Sequence, residues 1–387
     1  MTDFTSISQV DIIQNETTFI NFQNDLGSQD QGLQEHPIVE VENEAHDCVI
    51  DIADSHSEDE VLSATLILED YLPGLLTPLG TVTIRTATKS LGKGQDAPYC
   101  GSFVDDCGSK GHYVAVYDGH GENSCIDAIR SFDQDEIMAA INPVDCVREK
   151  IRDYRNQKKC NMARSGSTFV YAKIVTEDID RSGIGYISIG NVSDSELAVY
   201  INGVRVFMTT PQIATTPGEM ERLRKENRVS IIATNKEYKP KVHTDNKLTM
   251  ERAYNINFIG MNPIVPAQSL GHNELTGYAP EFKVITFDLA KDRVRVVAGS
   301  DGLWDLLNLE VPQDNDAVLK MDADLLCEFA EKKWKQDWNY CTDNKNMDKF
   351  TVTKFPSYDD IGIAIYDYTP PCPPLGKVEP NQPLGKV

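Results

Sequence analysis

The sequence predicts an α+β fold in which two antiparallel β-sheets form a central sandwich flanked by α-helices. From Thr81 onward, short runs rich in β-branched and aromatic residues alternate with turns built on Gly, Asp and Asn. Their order is strands, two helix-patterned segments, then strands again, which is not the strict strand–helix alternation of a doubly wound parallel sheet.

Residues 81–86, 102–104 and 113–117 read as strands, the last two joined by the turn Asp105-Asp-Cys-Gly108-Ser-Lys-Gly111. Residues 122–141 carry Ile126, Ile129, Ile137 and Ile141 and predict one amphipathic helix; residues 147–159 predict a second. Residues 168–175, 185–190 and 197–201 read as strands, the last closing on an Asn202-Gly203 hairpin turn. Residues 209–268 read as irregular, with a basic helical piece at 219–226 followed by a polar, Asn- and Lys-rich loop. Strands at 282–287 and 294–298, a helix over 317–338 and a strand at 361–366 complete the pattern.

Composition bounds the setting. With 387 residues, 40% of them apolar, the chain can bury a substantial core. It contains no run of 18 apolar residues and does not begin like a signal peptide, so we expect an intracellular protein, cytoplasmic or nuclear, off the membrane. Nine cysteines without a Cys-x-x-Cys pair read as reduced structural thiols.

The formal charge of −23 is uneven: residues 1–84 hold 17 Asp or Glu and no Lys or Arg, and so carry −17 of it. That balance excludes phosphate-backbone binding by the whole chain, which needs clustered basic residues. Residues 1–75 read as an acidic, mostly disordered arm that offers a surface to an unidentified partner, with the more apolar stretch from Val61 to Leu76 expected to pack onto the domain edge. Residues 76–368 form the folded domain, and residues 369–387 a Pro-rich tail that repeats Pro-Leu-Gly-Lys-Val.

Several carboxylates stand at predicted strand ends beside glycine or a turn: Asp96, Asp118, Asp194, Asp301, Asp305 and Asp359. Each alone reads as a turn or capping residue. Together, with no cysteine and few histidines nearby, they form the oxygen-rich set that selects Mg²⁺ or Mn²⁺ over zinc. Asp118-Gly-His-Gly121, at the end of the apolar run Val114-Ala-Val-Tyr117, adds a carbonyl and an imidazole to the same point.

In these blocks the chain resembles the metal-dependent Ser/Thr protein phosphatases of the PP2C (PPM) family. They occur in order as Gln95-Asp96, Val116-Tyr-Asp-Gly-His-Gly121, Ser165-Gly-Ser-Thr168, Asn191-Val-Ser-Asp-Ser195, Ala298-Gly-Ser-Asp-Gly-Leu-Trp-Asp305 and Asp359-Asp-Ile361. The resemblance implies a monomeric phosphatase that hydrolyses phosphoproteins with a metal-activated water. It implies two Mn²⁺ or Mg²⁺ ions held by Asp96, Asp118, Gly119, Asp301 and Asp359, with Asp118 bridging, and a weaker third ion at Asp194 and Asp305. His120 matches the general acid.

The chain also departs from the family. Leu91 stands where a phosphate-holding arginine is usual, leaving Lys93 as a candidate point charge without the bidentate fork. Ser193 replaces a glycine, Glu196 an arginine, and His272 an aspartate; Glu122 stands where a further glycine is usual. These changes support an alternative, a PP2C-like pseudophosphatase acting as a binding scaffold. A dinucleotide loop at Gly92-Lys-Gly94-Gln-Asp-Ala97 is set aside for want of a strand-to-helix setting. His112 and His243 read as solvated side chains, and Trp304 as core.

Overall fold

A computed structural model of the protein describes residues 64–68, 80–106, 108–176, 183–244, 248–341, 350–355 and 357–371. All of these fall in the compact unit Ala53–Val387. The expectations for the acidic arm, apart from residues 64–68, and for the tail beyond residue 371 lie outside the described residues.

In chain order the strands are β1 (Ala64–Leu68), β2 (Thr81–Lys89), β3 (Asp96–Val104) and β4 (Lys110–Gly121). Helices α1 (Ser124–Arg130), α2 (Gln134–Ala139) and α3 (Pro143–Lys158) follow. Next come β5 (Ser165–Ser167), β6 (Phe169–Val175), β7 (Ile184–Val192), β8 (Glu196–Ile201), β9 (Val204–Met208) and α4 (Glu219–Lys225). The remainder comprises β10 (Val229–Val242), β11 (Leu248–Phe258), β12 (Leu270–Gly271), β13 (Glu281–Asp288), β14 (Val294–Gly299), α5 (Asp301–Trp304), α6 (Pro312–Lys320), α7 (Ala323–Lys335), β15 (Asp337–Cys341), β16 (Phe350–Lys354) and β17 (Ile361–Thr369).

Two antiparallel sheets dominate, as the sequence predicts. One is six-stranded, in the order β1-β2-β17-β14-β8-β9; the other is seven-stranded, β12-β5-β4-β6-β7-β13 with β3 paired to β4. Strand β1 lies in the more apolar stretch of the arm expected at the domain edge, and its five residues pair with β2 at the sheet edge.

Alternation along β4 shows how the layers form. Val114 and Val116 pack with Ile84, Val170, Val199, Val296 and Tyr366 between the sheets. Tyr113, Ala115 and Tyr117 point the other way, onto Ile126, Ile137, Met138 and Val147 of α1–α3. Successive strand side chains face opposite sides, so a strand covered on both faces reads as a continuous apolar run. On the outer face of the six-stranded sheet, Ala87, Val297, Ile363 and Ile365 meet Leu326, Ala330 and Trp334. The order is therefore helix, sheet, sheet, helix.

Three expectations need correction. The single helix over 122–141 is two, because after Arg130 the chain turns through Ser131 and Phe132, and Asp133 recaps α2 by accepting from the Asp135 and Glu136 amides. The helix over 317–338 is likewise two: Asp322 caps α7, and residues 337–341 form a strand. The polar loop after α4 is the long hairpin β10–β11, which joins β15 and β16 in a third, four-stranded sheet. Its polar residues lack the apolar alternation that reveals a strand. Among the described residues no helix is long and apolar enough to cross a membrane, and Cys100, Cys125, Cys146, Cys160 and Cys327 are free.

Candidate active site

A cleft of about 710 Å³ opens where β4 ends, lined by Lys93, Asp118, Gly119, His120, Arg164, Asp194, Lys239, His272, Asp301, Asp305 and Asp359 among others. Its floor is set by strand register. Asp96 and Asp118 are direct partners across the β3–β4 ladder, and like charges directly opposite repel. Asp96 is 7% exposed, and its Oδ2 is a buried oxygen without a hydrogen-bond partner. Burial, then the neighbouring Asp360 and Asp301, push its carboxyl up to about 8. Asp118 is likewise held well above the carboxylate range by burial and by Asp96 and Asp301.

Neighbouring residues fix this floor. The Asp118 amide donates to Thr168 Oγ1 at 2.9 Å, Thr168 returns its own amide to the Asp118 carbonyl, and Thr168 Oγ1 lies 2.7 Å from Ser195 Oγ. At Gly121 (φ 80°) a Cβ would come within 2.1 Å of the Arg164 carbonyl, so only glycine fits where the strand leaves the sheet.

Asp359 and Asp360 do different work. Asp359 stands at the rim with its residue surface exposed, yet burial of its carboxyl, then Asp301 and Asp96, hold it well above the carboxylate range. Asp360 is buried and accepts from the amides of Leu91 (2.9 Å), Gly92 (2.7 Å), Lys93 (3.1 Å) and Gln95 (2.9 Å). It therefore clamps the loop that delivers Asp96. Leu91 packs against the outer core. Lys93 Nζ lies 3.3 Å from the Gly121 carbonyl, on the cleft.

On the other side, Lys239 from β10 enters the carboxylates. Its Nζ is 2.7 Å from Asp301 Oδ2, 3.3 Å from Asp305 Oδ2 and 3.5 Å from Asp194 Oδ2. Against the burial that would raise it, Lys239 holds Asp301 below the ordinary carboxylate range. Burial still raises Asp305, to about 7. Ser193, in the glycine position beside Asp194, keeps a left-handed backbone (φ 94°), held by its amide on Gln212 Oε1 and its hydroxyl on Asp194 Oδ1.

His120 is tied to His272. His272 Nδ1 lies 3.0 Å from the Ala163 carbonyl, His272 Nε2 lies 3.2 Å from His120 Nδ1, and His120 Nε2 lies 2.8 Å from Ser269 Oγ. A carbonyl only accepts, so His272 carries its proton on Nδ1 and accepts at Nε2; His120 must then donate from Nδ1. Burial, then His272, push His120 down to about 3.

The structure thus brings Asp118, Gly119, His120, Asp194, Asp301, Asp305, Asp359 and Lys93 to one cleft, with Asp96 beneath Asp118. Lys239, Arg164 and Asp360 escaped sequence reading as site residues. Arg164 directly precedes the Ser-Gly-Ser-Thr block, a signal that could have found it; Lys239 lies in the stretch read as loop. His112 is buried (5% exposed) beside Ser102, not solvated as expected, because β4 is longer than predicted and carries it inside. Trp304 is core, with Nε1 donating to the Glu196 carbonyl.

Among the described residues no group of three or more His, Cys, Asp or Glu side chains stands ready to hold a metal ion. The donor chemistry nonetheless fits a hard cation: oxygen ligands alone, two carboxylates opposed across a ladder, and an orphaned buried oxygen on one of them.

Paired antiparallel sheets with helices outside make this an α+β sandwich, with a carboxylate-lined cleft at the strand ends. No family model and no curated protein matches the sequence. Among solved structures it is similar to a C. elegans sex-determining protein, at 15% identity and TM-score 0.44, covering 82% of this chain and 67% of that one. It is similar to the serine-threonine phosphatase 2C of Toxoplasma gondii, at 14% identity and TM-score 0.43, covering 79% and 99%. It is also similar to the PPM Ser-Thr phosphatase MsPP of Mycobacterium smegmatis in complex with cacodylate, at 14% identity and TM-score 0.38, covering 73% and 97%.

Proposed function

We propose that this chain is a Mn²⁺- or Mg²⁺-dependent protein serine/threonine phosphatase. The observation that carries the reading is the opposition of Asp96 and Asp118, with Asp96 Oδ2 buried and unpartnered, at the floor of a cleft that also holds His120. Buried carboxylates this close need a cation or protons between them.

Asp96, Asp118, Asp301, Asp359 and the Gly119 carbonyl would hold the two ions. When bound, these supply Lewis-acid activation of water and neutralise charge on the phosphoryl oxygens. Lys93 and Arg164, both on the cleft, would hold the substrate phosphate in place of the usual arginine.

His120 would protonate the leaving serine or threonine oxygen, which is strongly basic as an alkoxide; this role requires the negative charge of a bound phosphate to raise the ring from the value of about 3 that burial and His272 alone impose. Its Nδ1 proton is committed to His272, so the proton that moves is on Nε2. Ser269 Oγ can accept from the imidazolium Nε2 while its own hydroxyl proton goes to the Leu270 or Ser167 carbonyl. The phosphoprotein substrate and an intracellular setting are part of the same proposal.

One observation favours the scaffold alternative: Lys239 already neutralises Asp301, a residue the metal reading needs. Hydrolysis of p-nitrophenyl phosphate and of a phosphothreonine peptide with Mn²⁺ and with EDTA decides between them. The enzyme reading requires turnover that the chelator abolishes; no turnover above buffer leaves the scaffold.

A further inference from the structure

We propose that the Lys239 ammonium is the resident cation of the corner formed by Asp194, Asp301 and Asp305, and that in this role it fastens the β10–β11 hairpin over the cleft. The inference rests on the reading above for the ions at Asp96 and Asp118, and concerns what stands beside them.

The three carboxylates belong to the sandwich: Asp194 to the turn between β7 and β8, Asp301 to the first position of α5, and Asp305 to its C-cap. The lysine belongs to the separate four-stranded sheet. An ammonium has three N–H donors, and here three carboxylates lie at 2.7, 3.3 and 3.5 Å from it. The corner is enclosed: Asp194 is 6% exposed, and the side chains of Asp301, Asp305 and Lys239 are 16%, 26% and 26% exposed.

The hairpin is built to present the lysine there. Next along β10, Pro240 is buried; Val242 is 6% exposed and its carbonyl accepts from Asn308 Nδ2 at 3.0 Å. These contacts seat the end of the strand beside α5. A divalent ion with these oxygens as ligands would need the space that Nζ occupies, since metal–oxygen distances of 2.0–2.6 Å leave no room for an ammonium among the same atoms. Two consequences follow. The corner takes up no third divalent ion while Lys239 is present, and the hairpin is held to the sandwich by an ion-pair network that an uncharged residue cannot make.

The test counts bound Mn²⁺ by electron paramagnetic resonance in the full chain and in Lys239→Met, which keeps the length of the side chain without its charge. Hydrogen exchange over residues 229–258 is followed in the same proteins. We expect Lys239→Met to gain one weak Mn²⁺ site, lost again when Asp305→Asn is added, and its hairpin amides to exchange faster, on the order of tenfold. Equal Mn²⁺ counts above zero in the two proteins overturn the resident-cation claim, and unchanged exchange overturns the fastening. Failure of both proteins to bind any Mn²⁺ overturns the phosphatase reading and the resident-cation claim together. Faster exchange in that case upholds the fastening alone.

Discussion

His120 and His272 form a directed pair: with the Ala163 carbonyl taking the His272 Nδ1 proton, His272 Nε2 accepts from His120 Nδ1 across 3.2 Å. His272 thereby orients a ring that sits at the cleft without touching substrate itself. Removing it leaves a buried N–H on His120 unpaired. We expect His272→Ala to lower kcat on the order of tenfold with KM little changed, and His272→Asp, which restores an acceptor, to recover most of it. Steady-state kinetics on a phosphothreonine peptide check this, and a matched rise in KM with kcat intact would contradict the positioning role.

The adjacent Asp359 and Asp360 should separate cleanly. Asp360→Ala removes the acceptor of four amides, one of them buried and three part-buried, and should cost on the order of 3 kcal/mol of unfolding free energy. Asp359→Ala, at an exposed rim position, should leave stability within about 0.5 kcal/mol while weakening Mn²⁺ affinity. Urea melts of the two variants give the comparison, and equal destabilisation would reject the division of labour.

The opposed carboxylates make stability depend on pH and on metal in opposite senses. Asp96 is raised to about 8, mainly by burial, and Asp118 is raised in the same direction. The metal-free folded form therefore holds protons that the unfolded chain has released near pH 4. The stability they contribute is fully present below pH 4 and is lost as pH rises toward 8. Metal affinity runs the other way, because ligands must be deprotonated. The increase in Tm on adding Mn²⁺ should accordingly be larger at pH 8 than at pH 5.5. A metal-induced increase that does not grow with pH would remove these carboxylates from the metal site.

Lys93 and Arg164 both line the cleft; Lys93 Nζ lies on the Gly121 carbonyl and Arg164, with a side chain 68% exposed, pairs with Glu122 across 3.8 Å. Replacing either with Ala should raise KM for a phosphopeptide several-fold, roughly what one charge-assisted contact provides, with a smaller effect on kcat. Lys93→Arg should lower KM by bringing a bidentate fork to the cleft. Unchanged KM in both Ala variants would place phosphate binding elsewhere.

Much of the fold was legible because its strands are covered on two faces: Val114 to Tyr117 reads as an unbroken apolar run for that reason. The β10–β11 hairpin was not legible, since Lys, Asn, Glu and Thr interrupt its apolar residues and leave no clean alternation to read, and its further partner β15 lies far along the chain. The helix breaks at Asp133 and Asp322 were signalled by capping residues that the apolar spacing around them masked. At the site, the six carboxylates were recognisable from their places beside glycine and turns. Lys239 was not: its role depends on a long-range approach between β10 and α5. His272 was visible only as a departure, and its use as a proton acceptor for His120 emerged from distances.

The central claim is that Asp118 and its neighbours hold the ions that activate water for phosphomonoester hydrolysis. Its most direct test is the turnover of a phosphothreonine peptide at saturating Mn²⁺ by the full chain and by Asp118→Asn. We expect a loss on the order of a thousandfold in the variant, which keeps the shape of the side chain while removing its charge. Equal turnover by the two proteins would contradict it.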